Sequence, residues 1–414
     1  MEIYVYADWN GLDATTQIGV LHAELVRGKE IFSFNYNATW LQNPQAQLLD
    51  PDLQLFAGPQ YLNDGKPNFG MFLDSSPDRW GRVLMKRREA ILARREERKA
   101  RPLFEQDFLL GVFDGIRMGG LRFKTNPEGI FMNDEQALAA PPWVSLRDLE
   151  FASQQVERDK AKDDSEELKW LNMLMAPGAS LGGARPKASV TDPEGDLWIA
   201  KFPSVTDEYD MAGWEMVVLR LARTAGLKVP DAQVQKFSGN HYTFLSKRFD
   251  RMQQIRIHFA SAMTLLGQQD GADFNTGASY LDLVSVIQKQ GRNVDENLKE
   301  LWSRIVFNIL VKNTDDHLRN HGFLLRDGGW DLSPAYDINP NPYGTGLTLN
   351  ISEDDNSLDT ELALEVATFF RLNSANATKR LEEIKEAVKT WRDVAANIGL
   401  SRRDQELMAD AFES

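Results

Sequence analysis

Cysteine is absent from the 414 residues, so neither a disulfide framework nor a thiolate metal site is available, which suits a reducing compartment. Histidine is scarce, at five residues, and supplies few nitrogen donors for a transition metal. No apolar run approaches the roughly 20 residues that cross a bilayer. Met1–Asn10 alternates apolar and polar residues with acids among them, unlike the basic start and apolar core of a signal peptide. The expected location is the cytoplasm, with no membrane association. Positive charge is in deficit as well: 47 Lys and Arg face 61 Asp and Glu, a net charge of -14. A chain so acidic repels a phosphate backbone, which disfavours stand-alone nucleic-acid binding.

What is present is a globular composition, 42% hydrophobic and 26% charged, long enough for two or three domains or subdomains. The first segment reads as strands at Ile3–Tyr6, Ile18–Val26 and Ile31–Tyr36, with a turn at Arg27–Glu30, and so as a small antiparallel sheet. After Ser76-Pro77-Asp78 the pattern predicts a helix, capped by Ser76 or a neighbour, with Pro77 in its first turn and Trp80, Val83, Leu84, Ile91 and Leu92 on its apolar side. The basic run Lys86, Arg87, Arg88, Arg94, Arg95, Arg98, Lys99 and Arg101 is interleaved with Glu89, Glu96 and Glu97. At helical spacing it reads first as a solvated face of i,i+3 and i,i+4 pairs. Phe104–Gly111 reads as helix, Asn126–Pro142 as a connector, and further helix is expected from Ser145 and over Leu168–Met175.

From Pro186 the texture changes to strand Lys187–Val190, turn Asp192–Gly195 and strand Leu197–Phe202. Helix Met211–Ala225, stopped at Gly226, and strands Ala232–Phe237 and Tyr242–Leu245 follow. Beyond Arg251 helices dominate: Tyr280–Gln290, a buried helix marked by Leu298, Leu301, Ile305, Val306, Ile309 and Leu310, then Glu361–Phe370, Ala377–Ile398 and Arg402–Phe412. The fold class expected is α+β in two lobes, a strand-rich one followed by a mainly helical one, with a crevice between them.

Four features carry chemistry. Pro177–Lys187 is glycine-rich and opens a strand; it suits close approach of backbone N–H groups to phosphate, though a plain turn explains it equally well. Lys201 lies on an apolar strand and needs a partner acid or a ligand phosphate, and Glu215 on the next helix is a candidate partner. Asn313–Asn320 packs Asp315, Asp316, His317 and Asn320 at the end of the buried helix. One carboxylate there can accept or orient a hydroxyl proton, and Asn320 offers an amide oxygen to Mg²⁺. His317 is read as a structural hydrogen-bonder of that loop ahead of a metal ligand. Asp337 follows a strand pair that returns the chain to the same loop, so its carboxylate and Asn320 suit a hard divalent cation bridging nucleotide phosphates.

These segments resemble the HipA family of bacterial toxin kinases. Ser180–Lys187 is similar to that family's phosphate loop, Lys201-Phe202-Pro203 to its lysine strand, and Lys247–Arg251 to the segment between lobes. Thr314–Asn320 is similar to its catalytic loop, Ala335-Tyr336-Asp337 to its metal-binding aspartate, and Phe72–Arg82 to the N-terminal subdomain motif. The resemblance implies a protein-kinase-like fold with a β-rich N-terminal subdomain over residues 1–140, an ATP-binding region over 141–250 and a helical lobe over 251–414. It implies ATP and Mg²⁺ as cofactors and a protein Ser or Thr hydroxyl as acceptor. Nucleotide contacts fall to Ser180, Leu181, Gly182, Gly183, Ala184 and Lys201, with backbone groups of Leu245, Ser246 and Lys247 at adenine. Asp315 is the implied catalytic base, Asn320 and Asp337 the metal ligands, and Arg248 and Asp250 the hinge supports. Ser180 matches the autophosphorylated serine, where roughly two added negative charges would displace the loop and silence the enzyme.

The implied partners are a helix-turn-helix antitoxin of the HipB type, operator DNA mainly through that antitoxin, and a protein substrate such as an aminoacyl-tRNA synthetase or another translation component. Asp316 stands where the family often has glycine, and an extra carboxylate there is expected to raise local proton affinity or bind cation. Two other readings stay open: a kinase for a small molecule or lipid, and an antitoxin-bound co-repressor or pseudokinase scaffold.

Overall fold

The computed structural model describes residues 1–62, 65–134, 139–159, 163–175, 185–237 and 239–412. Its contacts divide the chain into two compact units, Met1–Val205 with Asp250–Ala260, and Thr206–Phe249 with Ser261–Ser414.

The first unit opens on a five-stranded antiparallel sheet ordered β4-β3-β2-β1-β5, built from β1 (Glu2–Ala7), β2 (Thr16–Val26), β3 (Lys29–Tyr36), β4 (Pro59–Tyr61) and β5 (Leu121–Lys124). Alternation buries Ile3, Val5 and Ala7 on one strand and Phe32, Phe34 and Tyr36 on another. Val26 pairs with Lys29, so the connecting turn is Arg27-Gly28, with φ of 51° and 82°. Two successive positive φ values match the right-handed twist of a hairpin, and glycine takes the second at no steric cost.

Helix Arg79–Arg95 starts two residues later than Ser76-Pro77 suggests: Asp78 is the cap, accepting the Gly81 N–H at 2.9 Å, and Pro77 precedes it. The Ser76 hydroxyl instead donates to the Phe72 carbonyl at 2.7 Å. Val83 is exposed, because the buried stripe runs through Trp80, Leu84 and Ile91. The basic run is charge-paired, but not through i,i+3 and i,i+4 spacing. Arg94 meets Asp164, Arg98 meets Glu89 and Glu96, and Arg101 meets Asp107. The helix has ended by Glu96, so residues beyond it reach acids on other elements.

Helices Leu146–Arg158 and Asp164–Leu174 follow, the second capped by Asp163. A hairpin of β6 (Lys187–Thr191) and β7 (Leu197–Lys201) closes on Asp192, whose carboxylate accepts Asp196 N–H at 2.8 Å and the Trp198 indole at 2.7 Å. The segment from Asp250 joins this unit through polar anchors. Asp250 accepts the Gly119 N–H at 2.8 Å, Arg251 donates to the Arg117 carbonyl at 2.6 Å, and Arg256 to the Asp114 carbonyl at 2.7 Å. Arg117 itself is fully buried and donates to the carbonyls of Ser75, Leu109 and Val112; burial lowers its pKa to about 9 against the pull of Asp114.

The second unit is mainly helical. Helix Met211–Thr224 is capped by Asp210, whose carboxylate also accepts the Tyr242 N–H, and the chain turns away at Gly226 with φ 76°. A hairpin pairs β8 (Ala232–Gln235) with β9 (Thr243–Lys247). Helices Tyr280–Gln290 and Val294–Leu310 and a hairpin of strands Gly322–Arg326 and Gly329–Leu332 carry the middle of the unit. Expected helix Ala377–Ile398 is two helices, Ser374–Val388 and Trp391–Ile398. The break buries Trp391, stacked on Phe412 at 4.8 Å and beside Trp214 at 6.1 Å. Expected helix Glu361–Phe370 is likewise α-helical only over Thr360–Glu365 and continues as a 3₁₀ turn. Among the described residues no helix is long and apolar enough to cross a membrane.

Candidate active site

Helix Val294–Leu310 is the scaffold of the site. Leu298, Leu301, Trp302, Ile305 and Val306 are completely buried, and the Trp302 indole donates to the Ala363 carbonyl at 2.7 Å. The first turns expose Asp295, Glu296 and Lys299, but Asn297 and all residues from Glu300 to Leu310 are buried, and each polar side chain there must find a partner inside. Those side chains form a ridge at Asn297, Glu300, Arg304 and Asn308, one helical turn apart each time. Asn297 accepts the Leu332 N–H at 3.1 Å; Arg304 is held by Glu300 at 2.9 Å and donates to the Ser333 carbonyl at 2.6 Å; Asn308 donates to Asp316 at 2.7 Å. The ridge thus grips the whole stretch from the loop after the helix to the end of the returning hairpin.

The helix ends at Leu310; two residues on, Lys312 sits in the left-handed region at φ 46°, and Asn313 N–H returns to the Asn308 carbonyl at 2.9 Å. In the turn that follows, neighbouring carboxylates part company. Asp315 is exposed, whereas Asp316 is buried. One oxygen of Asp316, Oδ2, accepts the Tyr280 hydroxyl at 2.6 Å, the Asn308 amide at 2.7 Å and His321 Nε2–H at 2.9 Å. Burial pushes this carboxyl up. The His321 ring, by charge and hydrogen bond, and then the Tyr280 hydroxyl outweigh burial, so the carboxyl sits below the ordinary carboxylate range. Burial and the Asp316 charge together drive the Tyr280 hydroxyl well above its usual value, so it stays a donor. Asp316 is therefore a saturated internal acceptor. The expectation that it raises proton affinity beside Asp315 or binds cation is corrected: its charge is already satisfied within the protein.

Asn320 is buried on the same loop, with its amide donating to the Asp315 carbonyl at 2.9 Å. Its Oδ1 is buried and has no hydrogen-bond partner among the described residues. Leaving such an acceptor unsatisfied costs about 1–3 kcal/mol, unless a ligand completes it. His317 bonds through its main chain, which donates to Asp315 and accepts from Asn320; its ring Nδ1 is buried without a partner among the described residues.

Asp337 adopts φ 57°, a left-handed conformation costly for a residue with a Cβ and held here by its surroundings. The Tyr336 hydroxyl donates to the Arg319 carbonyl at 2.6 Å, so the neighbours of Asp337 and Asn320 touch, and the Asn339 amide donates to Asp337 Oδ1 at 3.3 Å. Asp315, Asn320 and Asp337 are thus drawn together within one unit. Of the other residues singled out in this unit, Glu215 and Arg248 are buried. Leu245, Ser246 and Lys247 lie on β9, and the Lys247 N–H is committed to the Asp231 carbonyl at 2.8 Å.

Lys201 and Asp250 belong to the first unit. Lys201 ends β7 directly opposite Lys187 in the hairpin. Two like charges at paired positions repel, and Asp78, the helix cap, offsets that of Lys187: its Oδ2 lies 2.7 Å from Lys187 Nζ, both groups buried. Burial pushes the Asp78 carboxyl up, and the nearby Lys187 and the Gly81 and Trp80 amides only partly counter it. Ser180, Leu181, Gly182, Gly183 and Ala184 lie outside the described residues.

Sequence reasoning missed Tyr280, Asn308, Asn313, His321 and Asn339, which hold the loop, and Asp78, which holds Lys187. A signal existed for Asn308: an amide on a helix otherwise read as apolar must be satisfied inside. Nothing local marks Tyr280, or the pairing of Asp78 with Lys187, since the partners lie 36 and 109 positions away.

Comparison with known proteins matches residues 179–392 to the family of the HipA-like C-terminal domain. A serine/threonine-protein kinase toxin HipA from Shewanella oneidensis is 23% identical over 227 residues, 49% of each chain. A Haemophilus influenzae protein, provisionally named a kinase, is 28% identical over 188 residues, 40% of this chain and 54% of its own. The matched stretch thus spans about half the length of these relatives. Across 99% of this chain and 95% of its counterpart, the fold matches the solved Shewanella oneidensis toxin–antitoxin complex of HipA, HipB and operator DNA, with a TM-score of 0.67 at 17% identity. The fold class is α+β and kinase-like, as expected from the sequence.

Proposed function

As a member of the HipA-like C-terminal domain family, this chain, we propose, transfers the γ-phosphoryl group of ATP, with Mg²⁺, to a serine or threonine hydroxyl of a protein. The observation that carries the reading is the buried amide oxygen of Asn320, without a protein partner among the described residues, on the loop that also presents Asp315 and lies against the Asp337 segment. A hard cation takes oxygen donors, and the few carboxylates and amides offered here suit an ion whose remaining ligands are phosphate oxygens and water. Asn320 and Asp337 would hold Mg²⁺, which when bound neutralises charge on the transferring phosphate. Asp315, the exposed acid of the loop, accepts the acceptor hydroxyl's proton and orients its oxygen. Lys201 and the loop Ser180–Ala184 bind the phosphates, Leu245–Lys247 the adenine, and Glu215, Arg248 and Asp250 support them.

Kinship suggests the rest: autophosphorylation of Ser180 as self-inactivation, a HipB-type antitoxin as partner with operator DNA reached through it, and a translation component as substrate. The division into 1–140, 141–250 and 251–414 belongs to the same reading. The test is purified protein with labelled ATP and Mg²⁺, beside Asp315→Gln. Label on Ser180 that falls at least about 100-fold in the variant supports the kinase. Nucleotide binding without transfer in either protein supports a scaffold, and transfer only to an added metabolite or lipid supports the small-molecule reading.

A further inference from the structure

The loop and Asp337 are joined by more than proximity. Asn339 N–H donates to Asn313 Oδ1 at 3.1 Å, Asn313 Nδ2–H to Asn308 Oδ1 at 3.1 Å, and Asn308 Nδ2–H to Asp316 Oδ2 at 2.7 Å. At the near end the Asn339 side chain donates to Asp337 Oδ1. Asn308 and Asn313 are 3% and 1% exposed, so water does not compete for these bonds. The side-chain amides of Asn313 and Asn308 each accept on one side and donate on the other, and both donate toward Asp316. Because that carboxylate is acceptor-only, its charge fixes the orientation of both amides, and bonds aligned this way strengthen one another.

We infer that Asn313, through Asn308 and the buried Asp316, is a positioning residue for Asp337, setting where the metal-binding carboxylate stands relative to Asp315 and Asn320. The inference rests on the kinase reading for the role of Asp337. The physical need is local. Asp337 occupies a left-handed backbone conformation that relaxes unless residues 337–339 are held, and the side-chain Oδ1 of Asn313, accepting the Asn339 N–H, holds the chain two residues on. Asp316 takes no part in proton transfer. It is the fixed end of the chain, clamped by Tyr280 and His321 from helix Tyr280–Gln290 and the loop's own exit.

The experiment uses the full chain with ATP and Mn²⁺ as a paramagnetic probe, reading free Mn²⁺ by electron paramagnetic resonance, with a Mg²⁺ titration of phosphoryl transfer beside it. Asn313→Ala should weaken Mn²⁺ binding in the presence of ATP by about tenfold, the range seen when a partner of a metal ligand is removed. It should raise half-saturating Mg²⁺ to match, with transfer at saturating Mg²⁺ much less affected. Asn308→Ala, which removes the partner that orients the Asn313 amide, should shift both readouts in the same direction by less, and decides the matter alone if Asn313→Ala does not fold. A merely structural role would lower the active fraction and leave metal half-saturation where it was. Unchanged half-saturation in both variants, with Asp337→Asn shifting it strongly, overturns the positioning role while the kinase reading stands. Wild-type protein that binds no Mn²⁺ with ATP overturns both.

Discussion

Two buried carboxylates, Asp78 in the first unit and Asp316 in the second, are equally removed from water yet titrate in opposite directions. Asp78 faces one ammonium and the amides of its own helix start, and burial prevails. Asp316 gathers a hydroxyl, an amide and an imidazole on a single oxygen, and the donors prevail. Depth therefore does not decide the state of a buried acid; the number and quality of donors converging on it do. The two also hold different things: Asp78 ties down the lysine opposite Lys201, whereas Asp316 anchors the loop bearing Asp315 and Asn320.

The sharpest way to break the comparison is to remove one partner of the ion pair. Asp78→Ala should cost about 3–5 kcal/mol, because it breaks the buried pair with Lys187, and Asp78→Ala with Lys187→Met should recover most of that in denaturant unfolding. A double variant as unstable as the single one would mean that Asp78 acts mainly as a helix cap. Next in size, Asp316→Asn should cost about 1–3 kcal/mol, since an amide in that place turns a donor toward donors already aimed at it. No loss there would mean that the three contacts rearrange freely.

The smallest effect is a difference in slope with pH. The folded Asp316 carboxyl lies below the unfolded value of about 3.9, so its contribution to stability is present above that value and is lost as the pH falls through the folded pKa. The folded Asp78 carboxyl lies above it, so its contribution is present below that value and is lost as the pH rises through the folded pKa. Melting temperatures from pH 3 to 7 should therefore show the gap between wild type and Asp316→Asn narrowing in acid, and the gap to Asp78→Asn widening. Equal signs would end the distinction.

Much of this was legible in the chain itself. Period-two alternation in β1 to β3 and the Arg27-Gly28 turn are local, as is the apolar stripe of Val294–Leu310, because each depends on neighbours within a turn or a strand pair. The helix break at Trp391 was not legible, since only packing against Trp214 and Phe412 makes it favourable. The missing i,i+4 pairs on the basic helix follow from the same cause: partners such as Asp164 lie far along the chain.

By itself the sequence determined which residue types could do chemistry, Lys201, Asp315, Asn320 and Asp337, because charge and ligand character reside in the side chain. It determined most element types too, since their periodicities are short. Only the tertiary structure decided which of two adjacent aspartates faces water and which is locked inside, and that Asn308, Asn313 and Asn339 connect the loop to Asp337. Those outcomes depend on the convergence of donors from positions up to 36 residues apart, and hydrogen bonds are made in space, where separation along the chain carries no information about who meets whom.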